Sequence, residues 1–177
     1  MSVSSHLTPD PERRLRVIYG NIYNSLKWTD IKLGALTFFA MAELAVIKTA
    51  APEGAYGSFA LLALCAVLPA GVLGVSPFIE TQRRLPLLEP GEKKQRPADS
   101  LISEYDIAGY SRLELTGFLD RYLGGGITAT PYYEDIVGQI VAGARIAARK
   151  LRLFRGACAL AGIAQLLLLL QFAARAL

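Results

Sequence analysis

Residues 154–174 read FRGACALAGIAQLLLLLQFAA, and this apolar stretch decides what kind of fold the chain adopts. Its length is close to the roughly 20 residues that a helix needs to cross the hydrocarbon layer of a bilayer. Its one charged residue, Arg155, lies at its edge, and two further apolar stretches of similar length occupy residues 33–51 and 57–78. The sequence therefore predicts three transmembrane helices.

The composition supports this interpretation. Of the 177 residues, 53% are hydrophobic and 19% are charged, whereas an ordinary soluble domain is about 45–50% apolar and about 25% charged. This excludes a disordered chain and makes a purely soluble protein a poor fit. Residues 79–153 are the longest stretch outside the predicted spans, and they are too few for most complete enzymes. We expect an all-α integral membrane protein.

The first predicted span, residues 33–51, carries two charges. Lys48 is near its end and can snorkel to the headgroups, but Glu43 lies close to the middle. One subunit cannot easily hide that carboxyl from lipid, so we expect a homo-oligomer. In the second span, Ala66, Ala70 and Gly74 are spaced four apart and would permit close helix contact, either between subunits or within one.

Basic residues predict the orientation. There are five before residue 33, eleven within residues 79–153 and none in the loop at residues 52–56. Because positive charge stays cytoplasmic, the N-terminus and the central region are expected inside and the short loop outside. The net charge of +4 and the pI near 9.2 follow from these membrane flanks, so no nucleic acid polymer is expected as a partner.

The predicted organisation has four parts. Residues 1–32 form a cytoplasmic N-terminal helix, and residues 33–78 form a hairpin of two spans. Residues 79–153 form a small helical cytoplasmic region, and residues 154–177 form the third span with a short tail.

Local signals place the helices outside the spans. Asp10 and Pro11 predict a helix start, followed by one apolar stripe. Thr130 and Pro131 predict a second start, and nothing breaks that helix before the third span. The stripe consists of Leu15, Ile18, Ile22, Leu26 and Thr29.

Further signals lie between these two helix starts. Ser111 and Glu114 form a capping box, which predicts a helix with Leu115, Leu119 and Tyr122 on one face, ended by three glycines at residues 124–126.

No catalytic or metal constellation stands out. Both cysteines lie in apolar stretches, and the single histidine, His6, lies in a polar tail. Glu104 and Asp106 in a predicted loop have no third metal ligand nearby, and the adjacent Glu134 and Asp135 suit the positive end of a helix dipole. We therefore expect no enzyme activity, no metal and no cofactor.

Two clusters are candidates for binding. Residues 28–32 (WTDIK) open the first span, and basic residues flank the third span at positions 145–152. Both clusters suit membrane anchoring, but an anion at the same depth could gain charge-assisted hydrogen bonds from Arg149 or Arg152. Trp28, Tyr105 or Tyr110 could stack on a base.

Several short motifs resemble those of one family. Residues 28–34 (WTDIKLG) resemble the signature that opens the first membrane helix of Pycsar transmembrane effectors. Pro77, residues 105–111 (YDIAGYS) and the segments 135–140 and 149–155 resemble later motifs of the same family, in the same order. The resemblance covers roughly residues 15–175.

The resemblance implies an antiphage effector in the bacterial inner membrane. In such a system, a partner cyclase switched on by infection makes 3′,5′-cyclic CMP or cyclic UMP. The effector senses this nucleotide in the cytoplasm and impairs the membrane. The alternative is a non-enzymatic membrane scaffold or accessory subunit that binds another protein.

The ligand site is expected at the cytoplasmic ends of the first and third spans and in residues 105–111. Arg149 is the first choice to bind the phosphate and Lys150 the second; because they lie about 100° apart on a helix, at most one should face inward. Asp30 could accept from a ribose hydroxyl or a base, or hold Lys32 or an arginine in place. The predicted ligand-binding residues are Trp28, Asp30, Lys32, Tyr105, Asp106, Ser111, Arg149, Lys150 and Arg152.

Overall fold

The computed structural model describes residues 11–50, 54–76, 79, 88, 100–101, 103–123 and 131–176. These residues contain five α-helices and no strand, which confirms the predicted all-α class for this part of the chain. The helices are α1 (Pro11–Ala50), α2 (Ala55–Val75), α3 (Glu104–Ala108), α4 (Arg112–Leu123) and α5 (Pro131–Ala176).

Two of these helices are long and continuous. α1 has 40 residues and α5 has 46 residues, and each begins at the proline that predicted its start. The predicted passage of α5 into the third apolar stretch without a break is confirmed, and α1 likewise continues into the first stretch. The predicted caps Asp10 and Thr130, together with Pro77 and residues 124–126, lie outside the described residues.

The chain divides into two compact units, and both long helices contribute to each. We call the described parts of Met1–Lys27 and Gln82–Arg149 the polar unit, and those of Trp28–Thr81 and Lys150–Leu177 the apolar unit.

The polar unit has a conventional hydrophobic core. The stripe predicted on α1 contributes to it through Leu15 and Ile22, and α4 contributes Leu115 and Leu119 as its capping box predicted. Burying a leucine or isoleucine side chain stabilises a fold by about 1.5–3 kcal/mol. The buried members from the other helices are Ile107, Ala108 and Tyr110 around α3, and Val137, Ile140, Val141, Ala144 and Ala148 on α5.

The apolar unit is packed through small residues. A Cβ atom at Gly71 would overlap the side chain of Thr37, and one at Gly74 would overlap Leu33, so α2 approaches α1 closely at both glycines. The predicted close contact at Gly74 thus forms within one chain, while Ala66 is exposed. The buried residues of α2 recur every three or four positions: Gly57, Ala60, Leu64, Val67, Gly71 and Gly74.

Large apolar side chains cover the outside of the apolar unit on all three of its helices. Among the described residues, α2 and α5 are long and apolar enough to cross a membrane. The predicted first span, residues 33–51, is not among these, so the count of three spans is not confirmed. The exposed side chains include Phe38, Phe39, Met41 and Val46 on α1, Phe59, Leu62 and Val72 on α2, and Leu166, Leu169, Leu170 and Phe172 on α5.

Candidate functional site

An ion pair joins α1 and α5 inside the apolar unit. The Nζ atom of Lys150 lies 2.9 Å from Oδ1 and 3.0 Å from Oδ2 of Asp30. The lysine side chain is only 2% exposed, whereas the aspartate side chain is 37% exposed. Two predicted site residues, 120 positions apart in sequence, are therefore brought into direct contact. The partner of Asp30 is Lys150, whereas the sequence suggested Lys32 or an arginine.

The prediction that only one of Arg149 and Lys150 faces inward is wrong. Arg149 is 1% exposed and Lys150 is 2% exposed. The reason is that residues 147–150 are all buried, and four consecutive side chains at about 100° intervals cover nearly the whole circumference of a helix. α5 has no solvent-facing side at this point, so the usual argument from one buried face does not apply.

The remaining predicted residues of the apolar unit are more accessible. The Trp28 side chain is 60% exposed, Lys32 is exposed and Arg152 is half-buried. An exposed tryptophan and lysine at this position fit an interfacial anchor and equally leave an aromatic face available for stacking. Their part in ligand binding stays a prediction.

In the polar unit, Glu104 and Asp106 lie in helix α3, whereas the sequence predicted a loop. Oε1 of Glu104 accepts a hydrogen bond from the Ser25 hydroxyl at 3.2 Å, and Oδ2 of Asp106 accepts one from the backbone N–H of Ser100 at 3.2 Å. These two hydrogen bonds connect α3 to α1 and to the chain segment that precedes α3. Among the described residues, no group of three or more His, Cys, Asp and Glu side chains is placed to hold a metal ion.

Tyrosines and an arginine surround the end of α3. The Arg145 guanidinium donates to the carbonyl oxygens of Ala108 at 3.4 Å and of Tyr110 at 3.0 Å, so it stabilises the C-terminal end of this short helix. The ring of Tyr110 is buried against Phe118, with 6.1 Å between centroids. Tyr105 is half-buried at the edge of the core and is the more accessible candidate for stacking on a base.

Ser111 acts as the predicted capping residue of α4. Its backbone N–H donates to Oε2 of Glu114 at 2.8 Å, and its hydroxyl accepts from the backbone N–H of Glu114 at 3.2 Å. Hydrogen bonding to the carboxylate by the Ser111 backbone N–H and, to a smaller extent, by the Ser111 side chain lowers the pKa of Glu114 below its ordinary value. The hydrogen bonds of Ser111 thus serve the fold, and its role in ligand binding stays a prediction.

The structure also shows a polar contact that the sequence interpretation missed. Nε2 of Gln165 donates to Oε1 of Glu43, and both side chains line a groove of about 390 Å³ between α1 and α5 in the apolar unit. Gln165 lies near the middle of the third apolar stretch, as Glu43 does in the first. A polar residue at mid-span was the signal that could have found Gln165. The groove is otherwise lined by Phe39, Ala42, Val46, Ile47, Leu168, Gln171, Phe172 and Arg175.

The described residues are nearly all helical and include two helices of membrane-spanning length and composition, which is the pattern of a small helical membrane protein. Comparison with known families identifies it further: a model of the Pycsar effector protein domain matches residues 14–176. The chain belongs to this family of membrane effectors, which indicates a role in antiphage defence, and the resemblance seen in the sequence is confirmed. Neither the curated proteins nor the solved structures give a significant match.

Proposed function

We propose that this chain senses a cyclic pyrimidine mononucleotide, cyclic CMP or cyclic UMP, made by a partner cyclase, and then impairs the inner membrane. The observation that carries the proposal is the burial of two adjacent cations, Arg149 and Lys150. Lysine and arginine are almost never fully buried in a protein unless they are paired with an anion, and the anion that pairs with Lys150 is Asp30. A phosphodiester ligand bears one negative charge, and a partly dry cation is what would bind it strongly.

We propose three membrane spans, with α1 contributing the first. The support is the exposed surface of the apolar unit, where α1 presents Phe38, Phe39 and Val46 as α5 presents Leu166 and Phe172. In water, exposed apolar surface of this extent would be unfavourable. In lipid, it is the ordinary outer surface of a helix bundle, and small residues occupy the inside.

We propose a cytoplasmic N-terminus, supported by the distribution of basic residues described above. Reporter fusions test it directly. A fusion after Gly54 should report the periplasm, and a fusion near Lys94 should report the cytoplasm. A periplasmic signal at Lys94 would contradict both the orientation and the proposed cytoplasmic sensing.

Arg149 and Lys150 are the two candidates for the phosphate-binding cation. Losing a charged phosphate contact costs about 1.5–3 kcal/mol, or roughly 10- to 150-fold in affinity. Calorimetry on the detergent-solubilised full chain should show binding of cyclic CMP or cyclic UMP and not of cyclic AMP. Arg149→Ala or Lys150→Ala should weaken it by that factor.

The matched control for these variants is Arg121→Ala. Arg121 is exposed on α4 in the polar unit and donates to the Gly117 carbonyl oxygen of its own helix, so its loss should leave the affinity unchanged. If the wild type binds neither pyrimidine nucleotide, the sensing proposal fails, and the scaffold alternative takes its place.

We also propose a homo-oligomer in the membrane, with the groove beside Glu43 and Gln165 covered by a second copy of the chain. A carboxylate and an amide at mid-span are costly towards lipid, and a neighbouring helix of another copy would shield them. Glu43→Leu should shift the detergent-solubilised protein towards the monomer in light-scattering measurements. Cys65→Leu, an exposed position on α2, is the control. A wild type that is monomeric with and without nucleotide would contradict this proposal.

A further inference from the structure

We propose that Lys150 is the cation that binds the nucleotide phosphate. In the absence of nucleotide, Asp30 pairs with this cation and so competes with the phosphate for it. This inference rests on the proposed sensing of a cyclic nucleotide and names the regulation of that same site. The Asp30–Lys150 ion pair is then the nucleotide-free state of an anion-binding site.

The geometry of the pair fits an occupied anion site. Both carboxylate oxygens of Asp30 lie within 3.0 Å of the same ammonium nitrogen, so the carboxylate presents two adjacent oxygens on one side of the cation. The two non-bridging oxygens of a phosphodiester present the same feature, with the same single negative charge. Either anion can satisfy the same ammonium group.

The burial of the two side chains is unequal, and this asymmetry determines which of them can leave. Lys150 is 2% exposed and Asp30 is 37% exposed. A buried ammonium group that lost its counter-ion would be strongly destabilised, so Lys150 needs an anion in every state. The Asp30 side chain is partly exposed, although its Oδ1 atom is buried, and the carboxylate gains hydration when it is displaced. Exchange of one anion for another therefore keeps the buried cation paired.

The position of the pair explains how such an exchange would matter to the membrane. Asp30 belongs to α1 and Lys150 to α5, and both lie in the apolar unit. Displacing Asp30 removes a direct tie between these two helices at one end of the apolar unit. A bound nucleotide thus changes the contact between the helices whose outer surfaces face lipid.

The nucleotide affinities of three variants test the inference by the direction in which each affinity changes. Asp30→Asn removes the competing charge and keeps the side-chain size, so it should bind cyclic CMP or cyclic UMP about tenfold more tightly than the wild type. Lys150→Gln should bind at least about tenfold more weakly, while Lys150→Arg should retain binding. If Asp30 instead contacted the ligand directly, Asp30→Asn would bind more weakly.

Control variants remove the same charges elsewhere. Asp135→Asn and Lys27→Gln change exposed side chains of the polar unit, and both should leave the affinity unchanged. A gain in affinity for Asp135→Asn equal to that for Asp30→Asn would mean that net charge is responsible, and this would overturn the inference.

Carboxyl footprinting of the wild type gives a second measurement that needs no variant. A carbodiimide should label Asp30 more in the presence of cyclic CMP or cyclic UMP than in its absence, because the carboxylate has left Lys150. Unchanged or reduced labelling with bound nucleotide, or an Asp30→Asn variant that binds no more tightly than the wild type, overturns the competitor role and leaves sensing intact. A wild type that binds no pyrimidine nucleotide overturns both.

Discussion

Helix α5 belongs to both units, yet its side chains are arranged in opposite ways in them. In the polar unit, α5 buries Ile140 and Val141 and exposes Asp135. In the apolar unit, it buries Ala164 and exposes Phe172. The first arrangement is that of a soluble protein, and the second is that of a helix surrounded by lipid. One helix thus carries two opposite patterns of burial along its length.

The polar contacts differ between the units in the same way. In the polar unit, Arg112 pairs with Asp135 at 2.9 Å in an exposed position, and such surface pairs contribute little to stability. In the apolar unit, Asp30 with Lys150 and Glu43 with Gln165 join α1 to α5 among apolar side chains. Polar contacts in apolar surroundings carry more energy and are costly to leave incomplete, so a change in either contact would affect the packing of α1 against α5.

The largest expected effect comes from a carboxylate placed on the exposed surface of the apolar unit. The comparison is a carboxylate placed at an exposed leucine of the polar unit. Phe39 is 64% exposed and Leu113 is 82% exposed. If α1 crosses the membrane, Phe39→Asp should cost about 3 kcal/mol of insertion free energy, whereas Leu113→Asp should change stability by no more than about 0.5 kcal/mol. The fraction of protein that resists alkaline extraction from membranes measures this difference.

Leu166→Asp, in the middle of the exposed apolar surface of α5, is the positive control for that experiment. It should lower the fraction that resists alkaline extraction, as Phe39→Asp does. A Phe39→Asp variant that inserts as well as Leu113→Asp would show that α1 is not a membrane span.

The second effect concerns the small residues inside the apolar unit. Gly71→Ala places a methyl group against Thr37, and this overpacking should destabilise the unit by about 1–3 kcal/mol. Gly156→Ala is the matched control because nothing lies near its Cβ position. The control should be neutral or stabilising by up to about 1 kcal/mol, since alanine is the better helix former. Thermal unfolding in detergent compares the two, and equal melting temperatures would contradict the close approach of α1 and α2.

The smallest effect is at the cap of α4 in the polar unit. Ser111→Ala should lower the free energy of unfolding by about 1 kcal/mol. The lowered pKa of Glu114 makes the stability of the fold depend on pH. The stabilisation by the ionised carboxylate is fully present above the ordinary pKa of 4.5. It is lost as the pH falls through the lower pKa of the folded state. Glu114→Gln should remove that acid sensitivity in thermal unfolding measured from pH 7 to pH 3. Identical acid profiles for wild type and variant would contradict it.

Local signals predicted much of the fold because they act over a few residues. Pro11, Pro131 and the Ser111 box mark helix starts in the sequence, and the structure has helices at these positions. Contacts across the chain were harder to predict. The pairing of Asp30 with Lys150 depends on the rotation of two long helices, which no local pattern fixes. The burial of both Arg149 and Lys150 was not predicted, because the sequence argument assumed a helix with one buried and one exposed face. In the structure, residues 147–150 of α5 are all buried.

The most direct test of the account is release of a dye from vesicles that contain the purified full chain. Addition of cyclic CMP or cyclic UMP should release the dye, addition of cyclic AMP should not, and Lys150→Gln should respond at least about tenfold less sensitively. If neither pyrimidine nucleotide causes release from vesicles in which the protein is folded and inserted, the chain does not couple nucleotide sensing to membrane damage, and the account is contradicted.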